Sequence, residues 1–198
     1  MQFSRRFLLS LVPASAMLPV LAHADEDVTR AERSVGKPDA KVVVQEFFSL
    51  TCTHCAAFSQ ETFPQIKTNL IDKGVVRWVF QDYPLDRTAL SASMVARYLP
   101  VDRYLPFIEA LFATQDRWAF NRGNNPTDEL WKTAALAGMS RPTFDKAIND
   151  TALRDWILQQ QQAATQKWKI DSTPSFVIDN QKYAGEMSYE AFRKLIPS

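Results

Sequence analysis

Hydrophobic residues follow two different spacings along the chain, and each spacing predicts a type of secondary structure. The β-branched and aromatic runs of residues 41–49 and 75–83 are too continuous for exposed strands, so they predict two buried strands. Between them, apolar residues recur at helical spacing from position 55 to 70, which predicts a helix that bends near Pro64 and ends at Gly74. Strand, helix and strand in this order predict a parallel unit with a right-handed crossover.

The stretch from Asp86 to Trp168 has helical spacing and no strand pattern, which predicts an inserted helical region. Asn125 and Ser140 each stand before a proline-containing first turn and are predicted to cap helices, and Gly138 is predicted to end one. After this region the pattern changes again. It predicts a hairpin of strands 175–178 and 181–183 around Asp179-Asn180, and then a short helix from Ser188 to Ile196.

The first 24 residues have the pattern of an export signal. Arg5 and Arg6 precede an apolar run from Phe7 to Leu21, and Ala-His-Ala at residues 22–24 is an A-x-A cleavage site. We therefore expect a cleaved signal peptide of residues 1–24 and export to the periplasm, by the Sec or the twin-arginine route. The alternative is a transmembrane anchor, but the run has 15 residues and about 20 are needed to span a bilayer.

Charge and composition exclude several classes of function. The chain has 23 basic and 22 acidic residues and no basic cluster, which argues against nucleic acid or an anionic membrane surface as a partner. Five glycines in 198 residues argue against a glycine-rich phosphate-binding loop. Cleavage after Ala24 would remove Arg5, Arg6 and His23, so the formal charge would fall from +1 to −1. The reactive side chains that remain are concentrated in Cys52-Thr53-His54-Cys55.

The Cys52-x-x-Cys55 motif follows the first predicted strand and starts the predicted helix. A cysteine at a helix N-terminus faces unpaired backbone N–H groups and the positive end of the helix dipole, and both stabilise the thiolate. We expect His54 to add positive charge near Cys52, so that the pKa of Cys52 falls well below its usual value of about 8.5. A stabilised thiolate makes the disulfide oxidising and makes Cys52 the better leaving group in a mixed disulfide. Cys55, one turn further on, is then the resolving thiol.

Simpler interpretations of these residues stay open. The cysteine pair could form a structural disulfide, although so short a loop would stabilise the fold little. It could be half of a zinc site, but zinc needs four ligands and the motif offers three. His54 could be a solvated helix residue, and Glu46 in the first strand could be an exposed carboxylate. We expect no metal and no other cofactor.

The element order and two motifs resemble the DsbA family of periplasmic thioredoxin-like proteins. Residues 46–49 (EFFS) followed by the 52–55 motif are similar to the active-site segment of that family. Residues 170–176, which include Thr173 and Pro174, are similar to its cis-proline loop. The two motifs together, about 120 residues apart, are more specific than a lone Cys-x-x-Cys.

This resemblance, which covers the chain from about Val35, implies an α/β fold that is thioredoxin-like with an inserted all-helical domain. It places the thioredoxin-like domain at residues 25–85 and 168–198 and the helical domain at residues 86–167. It also assigns roles to individual residues. Cys52 and Cys55 are the redox-active pair, His54 tunes Cys52, and Glu46 is a buried group that relays protons for Cys55. Thr173 and Pro174 present backbone to an extended client, which pairs with it like an added strand.

The function implied is a thiol:disulfide oxidoreductase that donates the Cys52–Cys55 disulfide to reduced, unfolded exported proteins. A DsbB-like membrane quinone reductase would re-oxidise it. Many strongly oxidising members have proline where this chain has Thr53, so the oxidising strength stays open.

An isomerase or reductase is one alternative, but the dimeric isomerases of the family carry an N-terminal dimerisation domain for which only residues 25–35 are available. A monomer is therefore expected. A copper carrier or a peptide-binding chaperone is another alternative, although copper sites usually add a separate His or Met ligand.

Overall fold

The computed structural model describes residues 28–197, so the expected signal peptide lies outside the described residues. The described chain contains a five-stranded mixed sheet and a set of helices. The strands are β1 (Arg33–Val35), β2 (Val42–Phe48), β3 (Val76–Asp82), β4 (Ser175–Ile178) and β5 (Gln181–Ala184). The α-helices are α1 (Thr53–Ala57), α2 (Phe63–Ile66), α3 (Arg87–Arg97), α4 (Val101–Ala113), α5 (Gln115–Trp118), α6 (Pro126–Leu136), α7 (Arg141–Asn149), α8 (Thr151–Trp168) and α9 (Tyr189–Arg193).

The sheet has the strand order β1-β3-β2-β4-β5. β2 pairs with β3 in parallel, which confirms the prediction for these two strands, and every other pairing is antiparallel. β2 is therefore the central strand, with β3 on one side and β4 on the other. β1 was not predicted, because its three residues carry no periodic pattern and are defined by their pairing with Trp78, Val79 and Phe80 of β3.

The helix after the Cys-x-x-Cys motif departs from α-helical geometry on both sides of Pro64. Two π-helical turns, π1 (Phe58–Thr62) and π2 (Lys67–Ile71), flank the short helix α2. The sequence predicted a bend at this proline, and the structure has these wider turns here. π-Helical turns within a longer helix are frequently found at functional sites.

Six helices, α3 to α8, lie between β3 and β4. The predicted caps are confirmed: the side chains of Asn125 and Ser140 accept hydrogen bonds from the backbone N–H groups of Thr127 and Thr143. Gly138 follows α6 with a φ of +87°, a conformation that glycine adopts without steric cost. The short helix α5 was not predicted, since four residues are too few to show helical spacing.

The hairpin of β4 and β5 turns at Asp179 and Asn180, as predicted. Both residues have positive φ angles, 47° and 62°, which is the geometry of a two-residue turn between twisted strands. α9 follows, and its first turn is capped by the side chain of Ser188, which accepts from the N–H of Ala191.

The two faces of the sheet bury different side chains. On one face, Val44 and Phe48 of β2 belong to a large apolar cluster that continues into the helices between β3 and β4. Its centre is aromatic, with Phe58 of the motif helix stacked against Trp78 and 4.8 Å from Phe176, centroid to centroid. The other face carries a smaller cluster, made of Phe47, Tyr83, Ala164, Ile170 and Val177. β2 is thus held from both sides, and the loop after it starts from a fixed point.

Buried charges connect the chain before β2 to the helices. Arg97 of α3 lies with its Nε 2.5 Å from Oδ2 of Asp82, and both side chains are buried. The guanidinium of Arg97 also donates to the carbonyl oxygens of Thr29 and Ala31. Arg33 of β1 is fully buried and donates to the carbonyl oxygen of Arg97 at 2.7 Å.

Within residues 28–197, no helix combines the length and the apolar character needed to cross a membrane.

Candidate active site

The loop after β2 places Cys52 at the N-terminus of α1. Cys52 is the N-cap residue of this helix, with extended backbone (φ −84°, ψ 120°), so its side chain sits over the first turn. Its N–H donates to the carbonyl oxygen of Ser49 at 3.0 Å, which closes the turn between strand and helix. The structure describes the pair in its dithiol form, with no bond between the two sulfurs. Cys52 is 8% exposed and Cys55 is completely buried, so an incoming sulfur reaches Cys52 first.

The loop is fixed by the segment that follows β3. Thr51 donates from its hydroxyl to Oδ2 of Asp86 at 2.6 Å, and the same carboxylate caps α3 through its other oxygen. The backbone N–H of Leu85 donates to the hydroxyl of Ser49. The motif loop and the start of α3 therefore share one hydrogen-bonded network.

Gln115 of α5 holds the same loop from the helical region. Its side-chain amide donates to the carbonyl oxygens of Leu50 at 2.9 Å and of Cys52 at 3.1 Å, and the side chain is buried. The sequence did not indicate this residue, because its role depends on a contact between positions more than 60 apart in the chain. The structure therefore adds Gln115 to the residues that position the motif.

The Thr173–Pro174 segment lies directly against Cys52. The peptide bond between these two residues is cis. The carbonyl oxygen of Thr173 accepts a hydrogen bond from Cys52 Sγ at 3.2 Å, so the structure brings together the two motifs that the sequence paired. Ser175 supports the segment from inside, because its hydroxyl donates to the carbonyl oxygen of Ser172 at 2.7 Å.

The local environment stabilises the Cys52 thiolate. The hydrogen bond from the Cys55 thiol is the largest influence and, with the Thr173 side chain and the backbone N–H groups of Cys55 and His54, lowers the pKa of Cys52 to about 5. Burial acts in the opposite direction but is outweighed. The hydroxyl of Thr173 is buried and has no hydrogen-bond partner among the described residues, so it is available to donate to the ionised sulfur. The thiolate form of Cys52 is therefore favoured at neutral pH, and in that form the sulfur accepts hydrogen bonds instead of donating one to the Thr173 carbonyl oxygen.

Cys55 has the opposite electrostatics. Burial is the largest influence and raises the pKa of Cys55 well above its usual range, and the neighbouring Cys52 sulfur and the Glu46 carboxylate raise it further. The two thiols thus differ sharply: Cys52, which is slightly exposed, ionises easily, and the completely buried Cys55 keeps its proton.

Glu46 lies beneath the motif on β2 and is 5% exposed. Of the two interpretations of this residue, the structure places the carboxylate inside the core. Burial raises the pKa of Glu46 to about 7, and a hydrogen bond from Trp78 Nε1 to Oε2 at 2.9 Å opposes that rise. The carboxyl group can therefore exchange a proton near neutral pH, and it is close enough to Cys55 for its charge to raise the pKa of that thiol.

His54 lies in the first turn of α1 with its side chain exposed. Its Nδ1 is 3.2 Å from Oε2 of Glu186, in the segment between β5 and α9. The contribution of His54 to Cys52 that the structure shows comes from its backbone N–H. The sequence predicted an imidazole that stabilises the thiolate, and it gave no indication of the partner carboxylate.

Other candidate sites are less convincing. Within the described part of the chain, no three His, Cys, Asp or Glu side chains are grouped closely enough to hold a metal ion. A cavity of about 800 Å³ lies beside Lys41 and Val43 at the start of β2. The cysteines follow the end of that strand, so the size of a cavity does not identify the reactive site here.

The role of the Thr173 hydroxyl can be tested with Thr173→Val, which keeps the shape of the side chain. We expect the midpoint of thiolate absorbance in the reduced protein to move from about 5 to higher pH, because one donor to the ionised sulfur is lost. Thr133→Val, on α6 away from the motif, is the matched control and should leave the midpoint where it is. An unchanged midpoint in Thr173→Val would rule out this hydrogen bond.

Comparison with known families and structures agrees with this geometry. The sequence model of a family described as thioredoxin matches residues 28–198. Among solved structures, alpha-DsbA1 of Wolbachia pipientis is 31% identical with a TM-score of 0.78, and the match covers 84% of this chain and 89% of that one. The thioredoxin-like fold class predicted from the sequence is confirmed.

Curated proteins with similar sequences have names that refer to disulfide chemistry. Disulfide bond formation protein D of Bacillus subtilis is 26% identical over 174 residues, which cover 82% of this chain and 74% of that protein. A Rickettsia bellii protein with protein-disulfide oxidoreductase in its name is 27% identical over 146 residues, which cover 73% of this chain. The match spans only 56% of the length of that relative.

Proposed function

Because the chain belongs to the thioredoxin family, and within it to the DsbA-type proteins, we propose that it is a thiol:disulfide oxidoreductase that oxidises reduced client proteins. The observation that carries this proposal is the contrast between the two thiols of the motif. The pKa of the accessible Cys52 is lowered to about 5, whereas that of the buried Cys55 is raised. A stabilised Cys52 thiolate favours the reduced form, so the disulfide readily accepts electrons from clients.

The reaction follows from the positions of the sulfurs. A client thiolate attacks Sγ of Cys52, the Cys52–Cys55 bond breaks, and Cys55 leaves with the electron pair and takes up a proton. A second client thiolate then attacks the client sulfur of the mixed disulfide and expels Cys52 as a thiolate. The client loses two electrons and gains a disulfide, and the motif is reduced to the dithiol.

Two further residues have roles in this scheme. Glu46 supplies the proton that the Cys55 sulfur takes up, since it is buried nearby with a pKa raised to about 7. The carbonyl oxygen of Thr173 lies 3.2 Å from Cys52 Sγ. The backbone of Thr173 and Pro174 therefore binds an extended client segment beside the reactive sulfur. Binding through backbone groups gives affinity without a strict requirement for client sequence.

The cellular setting is part of the proposal. We place the mature chain, from residue 25, in the periplasm as a monomer that acts on reduced, unfolded exported proteins. Each turnover leaves a dithiol that has to be oxidised again, and a DsbB-like membrane quinone reductase is the proposed partner. The helices of residues 86–167 are proposed as a separate domain inserted into the thioredoxin-like one.

The direct test uses the mature protein, residues 25–198. Its Cys52–Cys55 pair is equilibrated with reduced and oxidised glutathione, and the oxidised protein is then mixed with a reduced, unfolded client. We expect an oxidising equilibrium and formation of client disulfides at the expense of the motif disulfide. A strongly reducing equilibrium, or no transfer to the client, would overturn the proposal.

The proton site can be tested with Glu46→Gln, in the oxidised form so that the thiols do not titrate. Burial raises the pKa of Glu46 from 4.5 to about 7, so the unfolded chain releases this proton first as the pH rises. The free energy of unfolding therefore falls by about 3 kcal/mol as the pH rises from 4.5 to about 7, and this carboxyl group causes no further loss above that pH. The glutamine variant lacks this loss.

We expect the free energy of unfolding of Glu46→Gln, measured by urea unfolding, to exceed that of the wild type by about 3 kcal/mol at pH 8. Parallel pH profiles of the two proteins would contradict a buried, titrating carboxyl.

A further inference from the structure

Glu186 is in direct contact with the redox motif although it lies more than 130 residues further along the chain. Its Oε2 is 3.2 Å from Nδ1 of His54, and the two side chains are 44% and 68% exposed. His54 stands between the two cysteines in the sequence and its backbone N–H acts on Cys52, so a charge that binds its imidazole is held in the same turn as that sulfur. Ion pairs at this exposure are weak in energy, but this one involves a residue inside the reactive turn.

The position of Glu186 is set by hydrogen bonds on both sides of it. The N–H of Gly185 donates to the carbonyl oxygen of Pro174 at 2.8 Å, which ties the segment to the Thr173–Pro174 bond. The carbonyl oxygen of Met187 accepts from the hydroxyl of Thr62 at 2.9 Å, which ties it to the turn π1 of the motif helix. Glu186 is therefore held between the two segments that form the active site, and its contact with His54 follows from the fold.

The surroundings of this pair are acidic. A groove of about 390 Å³ runs between the motif helix and the start of α9, and its lining includes Glu61, Glu186 and Glu190 but no lysine or arginine. Of these three carboxylates, Glu186 is the one that contacts the motif. The His54 imidazole thus meets this acidic groove through one carboxylate, that of Glu186.

We propose that Glu186 is a positioning residue that lowers the oxidising strength of the Cys52–Cys55 pair by binding the His54 imidazolium in competition with the Cys52 thiolate. The inference rests on the proposed function, because it concerns the redox pair of that function. Glu186 contacts Nδ1 of His54, so the positive charge of the imidazolium is partly neutralised by that carboxylate. The imidazolium then stabilises the Cys52 thiolate less. When the motif is oxidised, there is no thiolate and the pair with Glu186 stands alone. Reduction adds a second anion beside the same imidazolium, and Glu186 opposes it.

The proposal predicts the direction of change in Glu186→Gln. The amide removes one negative charge next to the motif and releases the imidazolium, so the Cys52 thiolate gains stability. We expect the equilibrium constant with glutathione to shift about two- to fivefold toward the reduced protein, the range of an exposed ion pair. The midpoint of thiolate absorbance should shift to lower pH in parallel.

Glu190→Gln is the matched control. It removes the same charge from the same groove, four residues further along, without the contact to His54. We expect its redox equilibrium to stay close to that of the wild type. Equal shifts in the two variants would overturn the proposal, since they would show a general effect of groove charge. No shift in Glu186→Gln would overturn it as well.

The path through His54 is tested by repeating the substitution in a His54→Gln background. If Glu186 acts by holding the imidazolium, its replacement changes nothing once the imidazole is absent, so the two effects are not additive. Additive effects would show that Glu186 acts on the sulfur directly and would overturn the positioning role. Unfolding curves of all variants check that the fold is retained. The glutathione equilibrium and the titration need no client, so a wild type that fails to oxidise clients would refute the proposed function without affecting this result.

Discussion

Cys52→Ser is expected to abolish client oxidation, whereas Cys55→Ser is expected to accumulate mixed disulfides between Cys52 and its clients. Cys52 is the more exposed of the two cysteines, at 8%, and its pKa is lowered to about 5, so a chain without it has no accessible sulfur for a client thiolate to attack. Cys55 is completely buried and keeps its proton. Its loss removes the intramolecular attack that releases a client bound through Cys52.

The measurement is client disulfide formation together with non-reducing electrophoresis and mass spectrometry of the trapped species. Both variants lack the motif disulfide, so the mixed disulfide is formed by presenting each reduced variant with an oxidised client. Cys55→Ser should form an adduct that maps to Cys52, and Cys52→Ser should form almost none. Adducts that map to Cys55 in Cys52→Ser at a similar yield would contradict the proposed division of roles between the two sulfurs.

Local features of the site could be predicted from the sequence. Cys52 and Cys55 are three residues apart at the junction of a strand and a helix, and the hydrophobic pattern on each side defines both elements. The hairpin of β4 and β5 was predicted for a similar reason, because Asp179 and Asn180 tolerate the positive φ angles that its turn needs. The Thr173-Pro174 motif was linked to the cysteines by family resemblance, and the structure places it against Cys52.

Features that depend on distant contacts could not be predicted. Glu46 is in a strand whose residues are nearly all apolar, so alternation of polar and apolar positions could not tell a buried carboxylate from an exposed one. Gln115 and Glu186 lie in short segments that carry no periodic pattern, and only the packing of α5 and of the β5–α9 segment brings them to the motif. β1 is a strand because of its partner, β3. In each case the information lies in pairs of positions far apart in the sequence.

The second large effect is expected at the buried charges beneath the helices. Asp82 is the carboxylate that neutralises Arg97, and the fully buried Arg33 lies in the same network. Asp82→Ala removes the carboxylate that pairs with these two guanidinium groups among the residues that the structure describes. Breaking a buried pair in this way costs about 3–5 kcal/mol, because the partner charge stays desolvated. We expect a loss of this size in the free energy of unfolding.

Asp145→Ala on α7 is the matched control for Asp82→Ala. Asp145 also pairs with an arginine, Arg141 at 2.8 Å, but the two side chains are 46% and 57% exposed. An ion pair in water is worth about 0–1 kcal/mol, so this variant should unfold almost like the wild type. The free energies of unfolding of both variants are measured in urea and compared provided that their dependence on urea concentration is the same.

Asp82→Asn, which keeps the size of the side chain, extends the test if the alanine variant does not fold. A loss below about 1 kcal/mol in Asp82→Asn would show that the buried arginines are adequately solvated without the carboxylate, and that the backbone carbonyl oxygens around Arg33 and Arg97 are sufficient.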